Sequence, residues 1–216
     1  TLAAEVSAAI VTYSDDTLEK HEAIFRYSPF VNLIDEVDPS ILSNITTIKM
    51  SKTFTPTLAT DTKYTISFSN ALYHPHSGHM ASQPGTTPNG ILTSSGFTQT
   101  GKTPTYYLDD DGAGLVWIYY ISASEKVYES ASVGTINYTT GEVVLTKLDI
   151  ATIGDVDSLT STIIRLTVTP ASDDVVPVRN QVLAIDTTNL SVTGTADTIA
   201  SGVSDGGTNY TTTASY

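Results

Sequence analysis

The chain has no cysteine, which excludes a disulfide framework, thiolate zinc sites and cysteine nucleophiles together. Basic residues are also scarce: 10 Lys and Arg against 23 Asp and Glu leave a formal charge of −13. That balance repels a phosphate backbone, and no local Lys/Arg cluster offsets it, so nucleic acid is not an expected partner. No run approaches the roughly 18 consecutive apolar residues of a membrane helix, and no membrane partner is expected. The first residues carry no basic segment ahead of an apolar run, so no signal peptide is expected. Thr1 stands where an initiator Met would, and the chain enters a helical pattern at once. It is therefore expected to be a segment of a longer polypeptide.

What is present suits a packed domain. Hydrophobic residues make up 40% of the 216, enough for a core in one large domain or two small ones. Threonine supplies 36 residues, a β-favouring and turn-tolerant choice. Leu2, Val6, Ile10 and Tyr13 recur at helical spacing among alanines, and Ser14-Asp15-Asp16 is expected to stop that helix. Ser28-Pro29 reads as the cap and first turn of a second helix, with Phe30, Leu33, Ile34 and Val37 as its buried stripe and Pro39 as its end. Ala23–Tyr27 between them reads as a short strand.

From Asn44 the pattern turns to strands. Ile45–Met50, Tyr64–Phe68, Leu115–Ile121, Ile163–Thr169 and Gln181–Ile185 each read as one, with a further short strand near Ile91–Thr93. Asp110-Asp111-Gly112 is a turn, and Thr139–Glu142 joins Ile136–Tyr138 to Val143–Leu145 as a hairpin. Residues 74–105 read mostly as loop. The expected fold is α+β and predominantly β. A small helix and strand unit (1–60) precedes an antiparallel β domain (61–185, with the long loop 74–105), and a C-terminal strand and extended tail (186–216) complete the chain.

Few residues form a pattern that chemistry demands. His74, His76 and His79 place three imidazoles within six residues and are the candidate metal ligands, but their spacing matches no helix-based zinc motif and a solvated loop is favoured. Asp109–Gly114 resembles a calcium loop, yet Tyr120 stands where an EF-hand needs glutamate, so a hairpin turn is favoured. Sequons at Asn44, Asn137, Asn189 and Asn209 are expected by chance in a chain this rich in Thr and Ser. Tyr106-Tyr107 and Tyr119-Tyr120 could build a sugar platform. Neighbours on a strand face opposite ways, so each pair is expected to supply one core and one surface ring. No nucleophile elbow, P-loop or dinucleotide fingerprint occurs. No catalytic residue, metal or cofactor is expected, and the chain is not expected to be an enzyme.

Residues Ser28–Asp35 leading to Asn44–Ile48, with Tyr73–His76, Gly134–Val143 and Val176–Leu183, resemble the C-terminal part of the baseplate wedge protein called gene product six in T4-like phages. The resemblance spans roughly residues 14 to 190, and the helix-then-strand opening is distantly similar to baseplate J-type proteins. It implies a mechanical role in the virion, assembled in the bacterial host cytoplasm. It also implies homodimers that join other baseplate wedge proteins in a ring. No catalytic residues come with that role. Two other readings compete: a carbohydrate-binding or adhesive β module of a virion or cell-surface protein, and a metal-dependent enzyme built on the histidine loop.

Overall fold

The computed structural model describes residues 1–74, 90–129, 131–154, 161–178 and 181–196. Two helices open the chain: α1 (Leu2–Tyr13) and α2 (Tyr27–Asp35). Among the described residues eleven short strands come after them: β1 (Met50–Phe54), β2 (Thr62–Ser67), β3 (Thr93–Ser94), β4 (Phe97–Thr98), β5 (Tyr106–Asp110), β6 (Leu115–Ser122), β7 (Glu125–Tyr128), β8 (Gly134–Asn137), β9 (Glu142–Leu148), β10 (Thr152–Ile153) and β11 (Ile164–Val168). The protein is thus mostly β with a small helical N-terminus, the fold class that the residue pattern implied.

Two local departures have clear causes. Ser14-Asp15-Asp16 does not stop the first helix; it widens into a π-helical turn, Ser14–Leu18. There the Glu19 N–H reaches back to the Ser14 carbonyl at 2.9 Å, and Leu18 falls into the core at 2% exposure. Burial of one leucine outweighs the poorer turn geometry. The second helix begins at Tyr27, one residue before the expected Ser28 cap. Its first N–H is held by the Asp174 carboxylate at 2.8 Å, so a distant side chain does the capping. Phe25 makes only a single bridge, to Val175, in place of the strand expected over 23–27.

All pairs of named strands among the described residues are antiparallel. One sheet runs β1-β11-β3; the larger runs β10-β4-β5-β6-β8-β9-β2, with β7 also paired to β6. Their inner faces share one core, in which Ile164, Leu166 and Val168 meet Phe97, Leu108, Val116 and Leu145, each fully buried. The period-2 alternation of β11, visible around Arg165, therefore points at the opposite sheet. The expected hairpin is present as β8 and β9. Asn137 Oδ1 accepts from the Thr139 and Thr140 N–H groups, and Gly141 takes φ +69°. A side chain at Gly141 would also run into the Asn70 carbonyl, so this turn requires glycine twice over.

A second, smaller core joins α1 and α2. Tyr13, Phe25 and Phe30 form an aromatic trio with centroids 5.1–6.3 Å apart, packed with Val6, Ile10, Leu18, Ile34 and Val175. The chain returns to this core late: Leu183, Ile185, Leu190 and Val192 pack on it. Buried Ser14 ties that return down, its Oγ accepting the Ile185 N–H at 2.9 Å. Gln181–Ile185, expected as a strand, forms no strand pairing among the described residues; the Gln181 N–H instead closes a turn onto the Val178 carbonyl at 2.9 Å. Ile45–Met50 likewise becomes a paired strand only at Met50.

Candidate functional site

The end of β5 and the turn into β6 hold three consecutive carboxylates, and each is already engaged. Asp109, 1% exposed, accepts Lys126 Nζ at 2.7 Å and the Tyr128 hydroxyl at 2.6 Å. Asp110 accepts the Tyr138 hydroxyl at 2.6 Å, the Leu92 N–H at 2.8 Å and the Gly112 N–H at 3.3 Å. Asp111 accepts the Ala113 and Leu115 N–H groups at 2.8 and 3.0 Å. These oxygens close a turn and tie strands together; they do not converge on a cation. Among the described residues no group of three metal-ligating side chains converges anywhere.

Burial sets the electrostatics of this turn. It pushes the Asp110 carboxyl above the ordinary aspartate range, against the pull of its three donors, and the Asp109 charge pushes the same way. The Tyr138 and Tyr128 phenols are raised by burial and by the carboxylates they face. Tyr119 is pushed up to about 12, chiefly by burial and then by Asp109. The raised phenols stay protonated and donate.

His74 lies flat against Tyr138, ring centroids 4.4 Å apart and planes 23° off parallel. It thereby rests on the phenol that donates to Asp110, while Leu92, beyond the loop, donates to the same carboxylate. One buried acid thus anchors both flanks of the histidine loop. His76 and His79 lie outside the described residues.

The tyrosine pairs face as strand geometry dictates. Tyr106 and Tyr120 point to the core and meet edge-on at 5.6 Å, while Tyr107 and Tyr119 stack at 5.6 Å on the other face. That outer face, expected to be open, is covered. The β7 hairpin lays Tyr128 against Tyr119 at 5.4 Å and sets Lys126 Nζ 4.6 Å above the Tyr119 ring, leaving Tyr119 9% exposed. An exposed aromatic row for sugars is not formed by these four rings. Strand alternation was legible; the fold-back of β7 onto the second face was not.

The open feature is elsewhere. A cleft of about 1120 Å³ lies over the small helical core, with Val6, Ile10, Phe30 and Ile34 in its floor. One wall is residues 40–51 and the other residues 183–196. Along the first wall Asn44, Thr46, Ile48 and Met50 turn inward while Ile45, Thr47 and Lys49 turn out, Ile45 being 99% exposed. This is strand alternation without a strand partner. Among the described residues no backbone–backbone hydrogen bond reaches 42–49 or 190–196. The Thr46 carbonyl accepts the Tyr27 hydroxyl at 3.0 Å, which pins the wall to α2. The residue pattern expected a strand over Ile45–Met50; only Met50 is paired, to Val168 in β11, because what packs beside 45–49 is set at long range and no local signal encodes it.

No curated protein sequence matches this chain. A family match begins at α1 and ends inside β1, so it covers the helical unit and the open wall. It stops short of residues 73–76, 134–143 and 176–183, on which the resemblance to the wedge protein also leaned. Over residues 1–53 the chain matches the family described as baseplate structural protein gp6, C-terminal domain III.

Proposed function

We propose that this chain is a structural part of a contractile phage tail baseplate, a wedge or ring subunit that acts by protein–protein assembly and not by catalysis. The observation that carries the reading is the coincidence of the family match with a structural unit. Residues 1–53 hold both helices and the extended wall of the open cleft, the part of the molecule least closed upon itself. The polar groups in the β body support it from the other side. The buried carboxylates there are consumed by phenols, a lysine and backbone donors, as expected of a scaffold.

Its partners under this reading are a second copy of the chain and other baseplate wedge proteins, and its place is the virion tail after assembly in the host cytoplasm. Such contacts need apolar surface beyond the core. Leu42 at 74% exposure and Ile45 at 99% supply it on the helical unit, as Ile121 at 52% does on the β body. We further propose that the chain works in three parts. Residues 1–60 form the assembly unit, 61–185 the β body that spaces it, and 186–216 the C-terminal segment. No cofactor or metal enters this role. Immunogold labelling of intact virions with antibody raised against the chain tests it. Gold at the distal end of the tail is the expected result; gold on the capsid, or on no part of the particle, overturns the reading.

A further inference from the structure

We propose that residues 181–192 form a releasable strap over the helical core, one that opens as a unit while α1 and α2 stay folded. Three observations point there, and none depends on the baseplate reading. The first is the depth of the packing. The strap lays Leu183, Ile185, Leu190 and Val192 on the core, while Ala184 and Ser191 between them are exposed. Those four inward side chains are only partly buried, whereas Ile164, Leu166 and Val168 of β11 are fully buried. A segment that buries little apolar surface opens at small cost.

The second observation is the fastening. Among the described residues, the strap has two backbone–backbone hydrogen bonds. The Gln181 N–H donates to the Val178 carbonyl at 2.9 Å, and the Asn189 N–H donates to the Asp186 carbonyl at 3.2 Å. Both stay within the returning chain. Three links to the rest of the molecule run through side chains. The Ile185 N–H donates to Ser14 Oγ at 2.9 Å, Asp186 Oδ2 lies 3.6 Å from Arg165 Nη2, and Gln181 Oε1 accepts Lys52 Nζ at 3.2 Å. Fasteners of this kind release a segment without unravelling a strand ladder or a helix.

The third is that each side keeps its own shape. Asp186 builds a turn inside the strap: Oδ1 accepts the Thr188 N–H at 3.2 Å, and Oδ2 accepts the Asn189 side-chain amide at 2.8 Å. On the helical side Ser14 opens the π-helical turn, a distortion frequent at functional sites. Ser14 is 1% exposed, and its hydroxyl donates to Glu19 Oε1 at 3.1 Å, which leaves its lone pairs to accept from Ile185. The turn and the catch both persist when the two part. Release therefore uncovers apolar surface on a helical unit that is already formed.

Residue-resolved hydrogen exchange on the unsubstituted chain tests this. The Ile185 amide is expected to exchange at least about tenfold slower than free peptide, yet at least about tenfold faster than the Ile10 amide of α1. Exchange at the free-peptide rate overturns the proposal, because Ser14 then holds nothing. Exchange at the Ile10 rate overturns it as well, because strap and helix then open only together. Asp186→Ala removes the strap's own turn and its contact with Arg165, and leaves Ser14 in place. It is expected to speed Ile185 exchange about threefold or more while Ile10 changes less than about twofold. No acceleration at Ile185, or equal acceleration at both amides, overturns the proposal.

Discussion

The β body and the helical unit obey opposite construction rules. In the β body two antiparallel sheets share a core, and three consecutive acidic residues, buried or half-buried, each accept hydrogen bonds. In the helical unit a smaller core sits under an open cleft, and residues 42–49 and 190–196 of its walls make no backbone–backbone hydrogen bond among the described residues. A polar group taken from water must find a partner, so the closed body had to satisfy its acids internally. The extended walls lie at the surface, where water satisfies them, and so they remain available to another strand. A scaffold part has use for both: a rigid body to set spacing and an unfinished edge to make contacts.

The sharpest way to break this comparison is in the β core. Leu166→Ala removes a fully buried side chain where the two sheets meet and is expected to cost about 2–5 kcal/mol. Denaturant unfolding followed by fluorescence of Trp117, the one tryptophan, reads the β body directly. A loss under about 1 kcal/mol would mean the sheets do not share a core. Tyr138→Phe should be milder, about 1–2 kcal/mol, because it takes one donor from the buried Asp110 and leaves two. The same mutation removes the hydroxyl but not the ring beneath His74, so the stacking contact should persist in NMR ring-current shifts of the His74 imidazole.

Smaller effects belong to the helical unit. Ile48→Ala on the cleft wall is expected to cost roughly 1 kcal/mol, since the residue is only partly buried against the helices. Its signature should be confined to α1 and α2, with the Trp117 transition unmoved. The smallest effect is one of pH. The Tyr27 N–H, and after it the Arg26 guanidinium, hold the Asp174 carboxyl below its usual range. Stability from this lowered acid is present above the unfolded aspartate value and is lost as pH falls through the folded one. Asp110 has the opposite sign. Its raised folded value means its contribution is present at low pH and lost as pH rises through that value. Acidification should therefore loosen the start of α2 while favouring the β5–β6 turn. Asp174→Asn should flatten the first response, read as α2 amide exchange against pH, and leave the second intact.

These regions also differ in how far the amino-acid sequence reveals them. β6, β9 and β11 were legible because apolar alternation or a long apolar run is a local signal that tertiary packing then confirms. The Asn137–Gly141 turn was legible for the same reason. What stayed hidden was set at long range. Asp174 caps a helix 147 residues away in the chain. The return of Leu183–Val192 to the first helices, and the fold-back of β7 over Tyr119, have no mark in their own residues. For the candidate site the balance is similar. The inward and outward alternation of Ile45–Lys49 could be read, whereas its lack of a strand partner among the described residues could not. The histidine and aspartate clusters drew attention because charged and imidazole groups stand out in a chain with 15% charged residues. In the structure the aspartates are turn and sheet fasteners.

Residue-resolved hydrogen exchange under native conditions tests the contrast most directly. The account predicts two levels of protection: amides of β9 and β11 exchanging only through global unfolding, and amides of α1 and α2 through a separate opening of lower free energy. A single opening free energy shared by both sets would contradict it, because the helical unit and the β body would then be one cooperative structure.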